Sequence, residues 1–265
     1  MPELAEIRIM AEFINERAGG RVFTNIRKST VSKVKTPLKN PYNDNFRIEA
    51  KSRGKELKLD LISRGGEKTP LSCSMGMSGH WEIHPTSSEV KHAHLMFDSI
   101  DGTTLCLVDV RRFAKWKWSD WNLGRGPDPT NEHTQFINNI YENIDHKSFN
   151  VSIGSVLMNQ AWFNGIGNYL RSTILYKADQ NPFQIAREAI LENPKILELC
   201  QSIPLEAYQL GGGQLKDWEN PFKIERQSFR EWVFYAKGCS CVDESSRRLW
   251  FDPKWKEKCP YEVKE

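Results

Sequence analysis

Met158-Asn159-Gln160-Ala161-Trp162-Phe163-Asn164-Gly165-Ile166-Gly167-Asn168-Tyr169-Leu170-Arg171 is the stretch around which the second half of the chain is arranged. Apolar residues recur at helical spacing before it, over 149–160, and after it, over 168–177. Between the two patterns, Gly165 and Gly167 permit the backbone to come close to another group. Asn168 stands at the start of the second helix, where an amide side chain can cap it and exposed N–H groups favour an anion. Many helical hairpins contain such a turn, so this pattern alone fixes only a local shape.

Working outward, segments near 187–201, 204–210 and 225–236 also read as helices. Val233-Phe234-Tyr235 and Leu249-Trp250-Phe251 read as paired strands of a hairpin, at about 233–252, followed by a Lys-rich tail expected to fray. Upstream, Trp121-Asn122-Leu123-Gly124-Arg125-Gly126-Pro127-Asp128-Pro129 lacks periodicity and is rich in Gly and Pro, which predicts a linker over 121–132. Before it the period changes to two. Residues 46–50, 57–61, 80–83, 94–97, 104–108 and 114–118 read as short strands separated by turns, the pattern of an antiparallel sandwich or barrel. Leu4, Ile7, Met10, Ala11 and Ile14 put an amphipathic helix over 3–18, stopped by Gly19-Gly20. The expected fold is α+β: an N-terminal helix with an antiparallel β-sandwich (1–120), the linker, and a helical second domain (133–265).

The 265 residues carry a net charge of only +3, unevenly placed. Residues 1–60 hold 13 Lys/Arg against 8 Asp/Glu, residues 119–222 hold 7 against 12, and the last 43 hold 10 against 8. Basic ends on a balanced chain fit a local groove for a polyanion such as nucleic acid. No stretch is apolar enough to cross a membrane and none reads as a signal peptide. The six cysteines show no disulfide-framework spacing, so a reducing, intracellular setting is the default.

The chain starts Met1-Pro2-Glu3-Leu4-Ala5-Glu6. Removal of Met1 would leave Pro2 with a secondary amine, a group that attacks carbonyl-like carbons to give a cationic imine. Glu3 and Glu6 would then stand beside it for proton transfer. The plainer reading is that two acids simply oppose the positive end of a helix.

MPELAEIR, SRGKEL, MGMSGHW, VDVRRF and MNQAWFNGIGNYLRSTILY, in this order and spacing, resemble the Fpg/Nei family of DNA glycosylases, most of all its zincless-finger Nei-like type found in vertebrates and giant viruses. The resemblance spans essentially the whole chain. It implies a bifunctional DNA glycosylase and AP lyase of base excision repair, whose partner is damaged DNA, in duplex, single-stranded or bubble form. It implies no cofactor, no membrane and a monomer, at work in the nucleus or wherever a viral genome is repaired. Pro2 would be the nucleophile, Glu3 the proton shuttle and Glu6 a second, open participant in catalysis. Lys55 would hold the phosphate flanking the lesion. Met77, Arg111 and Phe113 would fill the gap left by the flipped nucleotide. Asn168, in a helix-two-turn-helix, and Arg247, on the finger, would grip phosphates.

Two departures from the pattern matter. Zinc-bearing relatives need four thiols, but Cys239, Cys241 and Cys259 make three, which implies a metal-free finger. The loop Gln209–Lys216 has Gly213 where the vertebrate type has a basic residue after two glycines, so lesion preference is open between oxidised pyrimidines or hydantoins, which are favoured, and oxidised purines. His92 and His94 read as structural or hydrogen-bonding rather than as metal ligands. Two other classes fit parts of the chain: a non-enzymatic binder of damaged or abasic DNA, and a metal-dependent nuclease, which would need a carboxylate cluster.

Overall fold

The computed structural model describes residues 2–30, 32–35, 37–38, 40–42, 44–213, 219–222 and 238–264. Two compact units emerge. One comprises the described residues up to Asn122 together with those from Gly211 to Phe222; the other comprises 123–210 and the described residues from Gly238 on. This differs from the expected division at 120 and 133, because the chain returns to the first unit after residue 210. The stretch 121–132 is also no free connector. Within the second unit the Gly126 N–H donates to the Gln160 carbonyl at 3.0 Å, and the Asn164 amide donates to the Gly126 carbonyl at 3.0 Å. A Cβ on Gly126 would lie 2.5 Å from the Ala161 oxygen, so this glycine serves close packing, not flexibility.

The first unit begins with helix α1 (Leu4–Ala18), whose buried face includes Leu4, Ile7, Met10, Ala11 and Ile14 as the spacing predicts. Eight antiparallel strands follow: β1 (Phe23–Lys28), β2 (Phe46–Arg53), β3 (Glu56–Ser63), β4 (Lys68–Ser74), β5 (His80–Pro85), β6 (Ala93–Ser99), β7 (Thr103–Val108) and β8 (Lys115–Trp118). Their order is β5-β7-β6-β1-β2-β3-β4-β8. β1 and β2 meet in one register pair only, Phe23 opposite Phe46, so the sheet is two four-stranded halves hinged at that pair. Phe46 of one half packs edge-on against Phe97 of the other, with ring centroids 6.4 Å apart, and Trp81 lies 6.3 Å from Phe97. Beyond the hinge pair, Asn15 of α1 supplies what a strand would: its amide donates to the Ala50 carbonyl at 2.8 Å and accepts the Ala50 N–H at 2.7 Å.

Strands β1 and β4 are absent from the sequence reading. β1 (Phe-Thr-Asn-Ile-Arg-Lys) buries only Phe23 fully and shows no alternation. β4 contains Pro70, which normally argues against a paired strand.

The second unit holds α2 (His133–Glu142), α3 (Ile153–Val156), α4 (Asn168–Lys177), α5 (Ala186–Glu192), α6 (Lys195–Gln209) and the strands β9 (Cys239–Val242) and β10 (Arg248–Phe251). α4 has the bounds read from the sequence; α2 has no counterpart there. The helix expected over 149–160 is only a 3₁₀ turn, Lys147–Asn150, and the single turn α3, because Ser152 caps a new start by accepting the Ser155 N–H. The segments near 187–201 and 204–210 regroup. α5 ends before Pro194, and α6 continues through Pro204 because Leu197, Cys200, Ile203 and Ala207 bury one face and outweigh the proline's cost of about 3 kcal/mol.

In the hairpin, Leu249 lies opposite Cys241 and Phe251 opposite Cys239. The partner of 249–251 is therefore Cys239-Ser240-Cys241 and not Val233-Phe234-Tyr235; that segment, like the helix expected over 225–236, lies outside the described residues. The tail does not fray as expected: Lys264 and Ser240 exchange two backbone hydrogen bonds of 2.7 Å. Among the described residues no helix is long and apolar enough to cross a membrane.

Candidate active site and nucleic-acid interface

The head of α1 is a buried polar cluster. Pro2 is buried and Glu3, in extended backbone, is the residue before the first turn. The Glu3 N–H donates to Glu6 Oε2 at 2.6 Å. Glu6 is fully buried, and its other oxygen accepts the Gly213 N–H at 2.6 Å. One carboxylate thus ties the helix start to the loop Gly211–Gly213, where Gly211 (φ 84°) and Gly212 (φ 81°) take the left-handed backbone that glycine alone adopts freely. The rest of the 209–216 loop lies outside the described residues.

β2 and β3 are joined by the two-residue turn Gly54-Lys55, with Arg53 opposite Glu56. Gly54 has φ 56°, which suits the tight hairpin turns that match strand twist. Lys55 is only 9 % exposed, unlike an ordinary hairpin lysine in water.

Met77, Arg111 and Phe113 come from two loops that the fold brings together. Met77 is 38 % and Phe113 50 % exposed, while the flanking Met75 and Ala114 are buried. Gly76 (φ 58°) passes so close to the second loop that a Cβ would sit 2.7 Å from Phe113 Cβ. The Arg111 guanidinium lies 5.2 Å from the Phe113 ring centre. The sequence reading has no role for the residue that organises both loops, Asp109. It is fully buried. Its Oδ1 accepts the Ser78 hydroxyl and the Arg111 N–H (3.1 Å); its Oδ2 accepts the N–H groups of Phe113 and Ala114 (2.6 Å each). Burial raises the Asp109 pKa, but these bonds outweigh it and the carboxyl is held below the usual range. The available signal is an aspartate two residues before a turn arginine, able to bond its own downstream amides.

His94 Nε2 lies 2.8 Å from the Asp109 carbonyl oxygen, a hydrogen-bonding role for that ring; at His92 it is the backbone carbonyl that accepts the Asp109 N–H. On β5, Glu82 bridges His80 (2.8 Å) and His84 (2.5 Å). The His80 bond leads the causes that pull Glu82 down to about 2. For His80, burial opposes the charged ring, but bonds to Glu82 and to the Ser78 carbonyl raise its pKa overall.

In the second unit, Gln160 and Asn164 shape the turn quoted above. Gln160 donates to the Ile166 carbonyl at 2.9 Å and accepts the Gly165 N–H at 3.1 Å, and Gly165 has φ 101°. The expected cap by Asn168 is not made. Gly167 occupies the cap position and Asn168 is the first helical residue. Its amide oxygen instead accepts from Arg171, Nε at 3.1 Å and Nη2 at 2.8 Å. Arginine has no acceptor, so the oxygen must face it, which leaves the Asn168 Nδ2 donors as the side that suits an anion.

Arg247 is exposed on the turn between β9 and β10. Asp243 Oδ1 accepts the N–H groups of Ser245 (3.0 Å) and Arg247 (2.9 Å), and Ser246 has φ 58°. Cys239 and Cys241 are buried, and burial with a hydrogen bond to Cys259 pushes the Cys241 thiol up. Three thiols do not complete a structural zinc set, and among the described residues no three His, Cys, Asp or Glu gather around a common point.

Comparison with known proteins fits this arrangement. A family model described as "Formamidopyrimidine-DNA glycosylase N-terminal domain" matches residues 1–116. Endonuclease 8-like 1 of Homo sapiens is 35% identical, over 95% of this chain and 72% of that protein. The formamidopyrimidine-DNA glycosylase of Corynebacterium jeikeium is 28% identical over 76% of each chain. Among solved structures, the MutM (Fpg) protein of Thermus thermophilus superposes with a TM-score of 0.79 at 22% identity, covering 98% of this chain and 100% of that one. Wild-type Lactococcus lactis Fpg bound to DNA containing an oxidised pyrimidine gives 0.77 at 21% identity, covering 96% and 99%. The chain belongs to the Fpg/Nei family, whose members are DNA N-glycosylases with AP lyase activity. Within that family it is similar to the Nei-like proteins.

Proposed function

We propose that this chain excises oxidised bases from DNA and cleaves the strand there, with Pro2 as the nucleophile once Met1 is removed. The base-excision activity is that of its family; the residue roles are our assignment. The free Pro2 nitrogen attacks C1′ of the damaged nucleotide and the bond to the base breaks. Glu3 protonates the sugar ring oxygen, the ring opens, and a cationic imine links Pro2 to C1′. The imine acidifies the adjacent C–H, so loss of that proton expels the 3′ phosphate, and a second elimination expels the 5′ phosphate. Water then releases the sugar fragment from Pro2.

The observation that carries this reading is the buried head of α1, where Glu3 adjoins Pro2 and Glu6 spends both oxygens on backbone amides. Glu6 is accordingly a positioning residue. Lys55 would steady the phosphate beside the lesion with a compact charge. Met77 and Phe113 would wedge into the vacated stack and Arg111 would bond the orphaned base, offsetting a flipping cost of a few kcal/mol. Asn168 and Arg247 would hold backbone phosphates. Oxidised pyrimidines and hydantoins are the lesions we assign, and the enzyme would act where genomic DNA is repaired, as a monomer.

The test is borohydride trapping with DNA carrying an oxidised pyrimidine or an abasic site, alongside mass measurement of the N-terminus. A covalent adduct is expected from the wild type and none from Pro2→Gly. DNA binding without an adduct, from protein shown to lack Met1, would overturn the assignment in favour of a non-enzymatic binder.

A further inference from the structure

Arg171 is a cation with no exposed surface, placed one helical turn after Asn168. A guanidinium has five N–H donors, and here each has a partner. Nε and one Nη2 hydrogen reach Asn168 Oδ1, and Nη2 also reaches the Arg248 carbonyl at 3.1 Å. Nη1 reaches the Gly154 carbonyl at 2.8 Å and Asp243 Oδ2 at 2.9 Å. A side chain so saturated has no donor left for DNA, despite its charge. Its partners, however, are the two places proposed to hold phosphates. Asn168 is gripped directly. Asp243, with one oxygen on Arg171, uses the other to fix the amides of Ser245 and Arg247.

We propose that Arg171 is a positioning residue that sets both phosphate grips of the second unit together, the Asn168 amide and the finger turn bearing Arg247. This rests on the reading of those two residues given above. The guanidinium joins α4, α3 and the β9–β10 hairpin through one rigid plane, a task for which lysine is unsuited. Lysine has three donors on one nitrogen and no planar fork, so it cannot span Asn168, Gly154, Asp243 and Arg248 at once. The hairpin turn thereby acquires a fixed anchor of protein atoms, and its arginine a defined place relative to the helix start.

The experiment measures binding to a duplex carrying a tetrahydrofuran abasic analogue across a salt series. Asn168→Ala and Arg247→Ala should each lower the salt slope by about one, the share of one phosphate. If neither does, the phosphate reading fails, whatever Arg171 does. With that established, Arg171→Lys and Arg171→Met should weaken binding at least about tenfold and lower the slope by about two. In the Asn168→Ala/Arg247→Ala background the same changes should cost less than about twofold. In turnover, the loss should fall on KM rather than kcat. Asp243→Asn provides a gentler variant that keeps the shape of the turn. It should lower the slope by about one, and its effect should vanish in the Arg247→Ala background. Effects that multiply with those of Asn168→Ala and Arg247→Ala, or a fall in melting temperature with an unchanged slope, would reduce Arg171 to a structural residue and overturn the proposal.

Discussion

Replacing Asp109 by Asn removes one acceptor and installs a donor at the point where four donors converge. Suppose the remaining oxygen keeps the Phe113 and Ala114 amides, the two 2.6 Å contacts. The Ser78 hydroxyl can turn and accept from the new amide, but the Arg111 N–H then faces another N–H group. A stranded donor costs about 1–3 kcal/mol, and a bond to a neutral acceptor is worth roughly half one to a carboxylate. Together these give about 2–4 kcal/mol of lost stability. At about 2–4 °C per kcal/mol for a chain of this size, the first unit should melt roughly 4–16 °C lower. The loss should be pH-dependent. Because the Asp109 pKa is depressed in the fold, its contribution is complete above the unfolded value of about 3.9 and disappears as pH falls through the lower native value. The stability gap between wild type and variant should therefore narrow over that acid range. The two loops proposed to fill the void should loosen together, so fluorescence of a 2-aminopurine placed opposite the lesion should report incomplete filling by both Met77 and Phe113. A variant that melts within about 1 °C of wild type and fills the gap normally would refute the clamp.

Glu6→Gln should free one of two amides, at a cost of about 1.5–3 kcal/mol, and speed hydrogen exchange at Gly213 while the trapped adduct still forms. Loss of the adduct with unchanged Gly213 exchange would make Glu6 catalytic instead. For the β5 cluster, the raised His80 pKa means its contribution is complete below about pH 6.5 and is lost as pH rises through the higher native value. The melting-temperature gap between wild type and Glu82→Gln should therefore be widest near pH 5 and narrow toward pH 9, and a gap independent of pH would contradict it.

What the sequence discloses follows from what periodicity can carry. β3 is readable because Leu57, Leu59 and Leu61 alternate, and α4 because its start is punctuated by glycine. β1 and β4 are not, since their place depends on neighbours in the sheet and not on their own pattern. Exposure of Met77 and Phe113 follows from their turn-rich surroundings. The organising polar residues stay hidden for a different reason. Asp109, Arg171 and Glu6 are charged residue types that usually sit in water, and nothing local marks them as buried. Their partners lie up to 207 positions away, and such a distance leaves no trace in spacing. The same limit explains Asn168, whose cap role is a sound local inference displaced by an arginine one turn later.

The Glu6–Gly213 contact has a consequence for how the protein is made. Gly213 lies 207 positions after Glu6 and must be synthesised before the contact can close. At about 5–20 residues per second, the ribosome leaves the nascent first unit without its latch for roughly 10–40 seconds. Pro2 is buried in the finished fold, so this interval, while the amino terminus has already emerged and Gly213 has not, is when an aminopeptidase has its best access to Met1. If Pro2 is the nucleophile, as proposed above, the order of translation leaves time for Met1 to be removed before the Glu6–Gly213 contact closes.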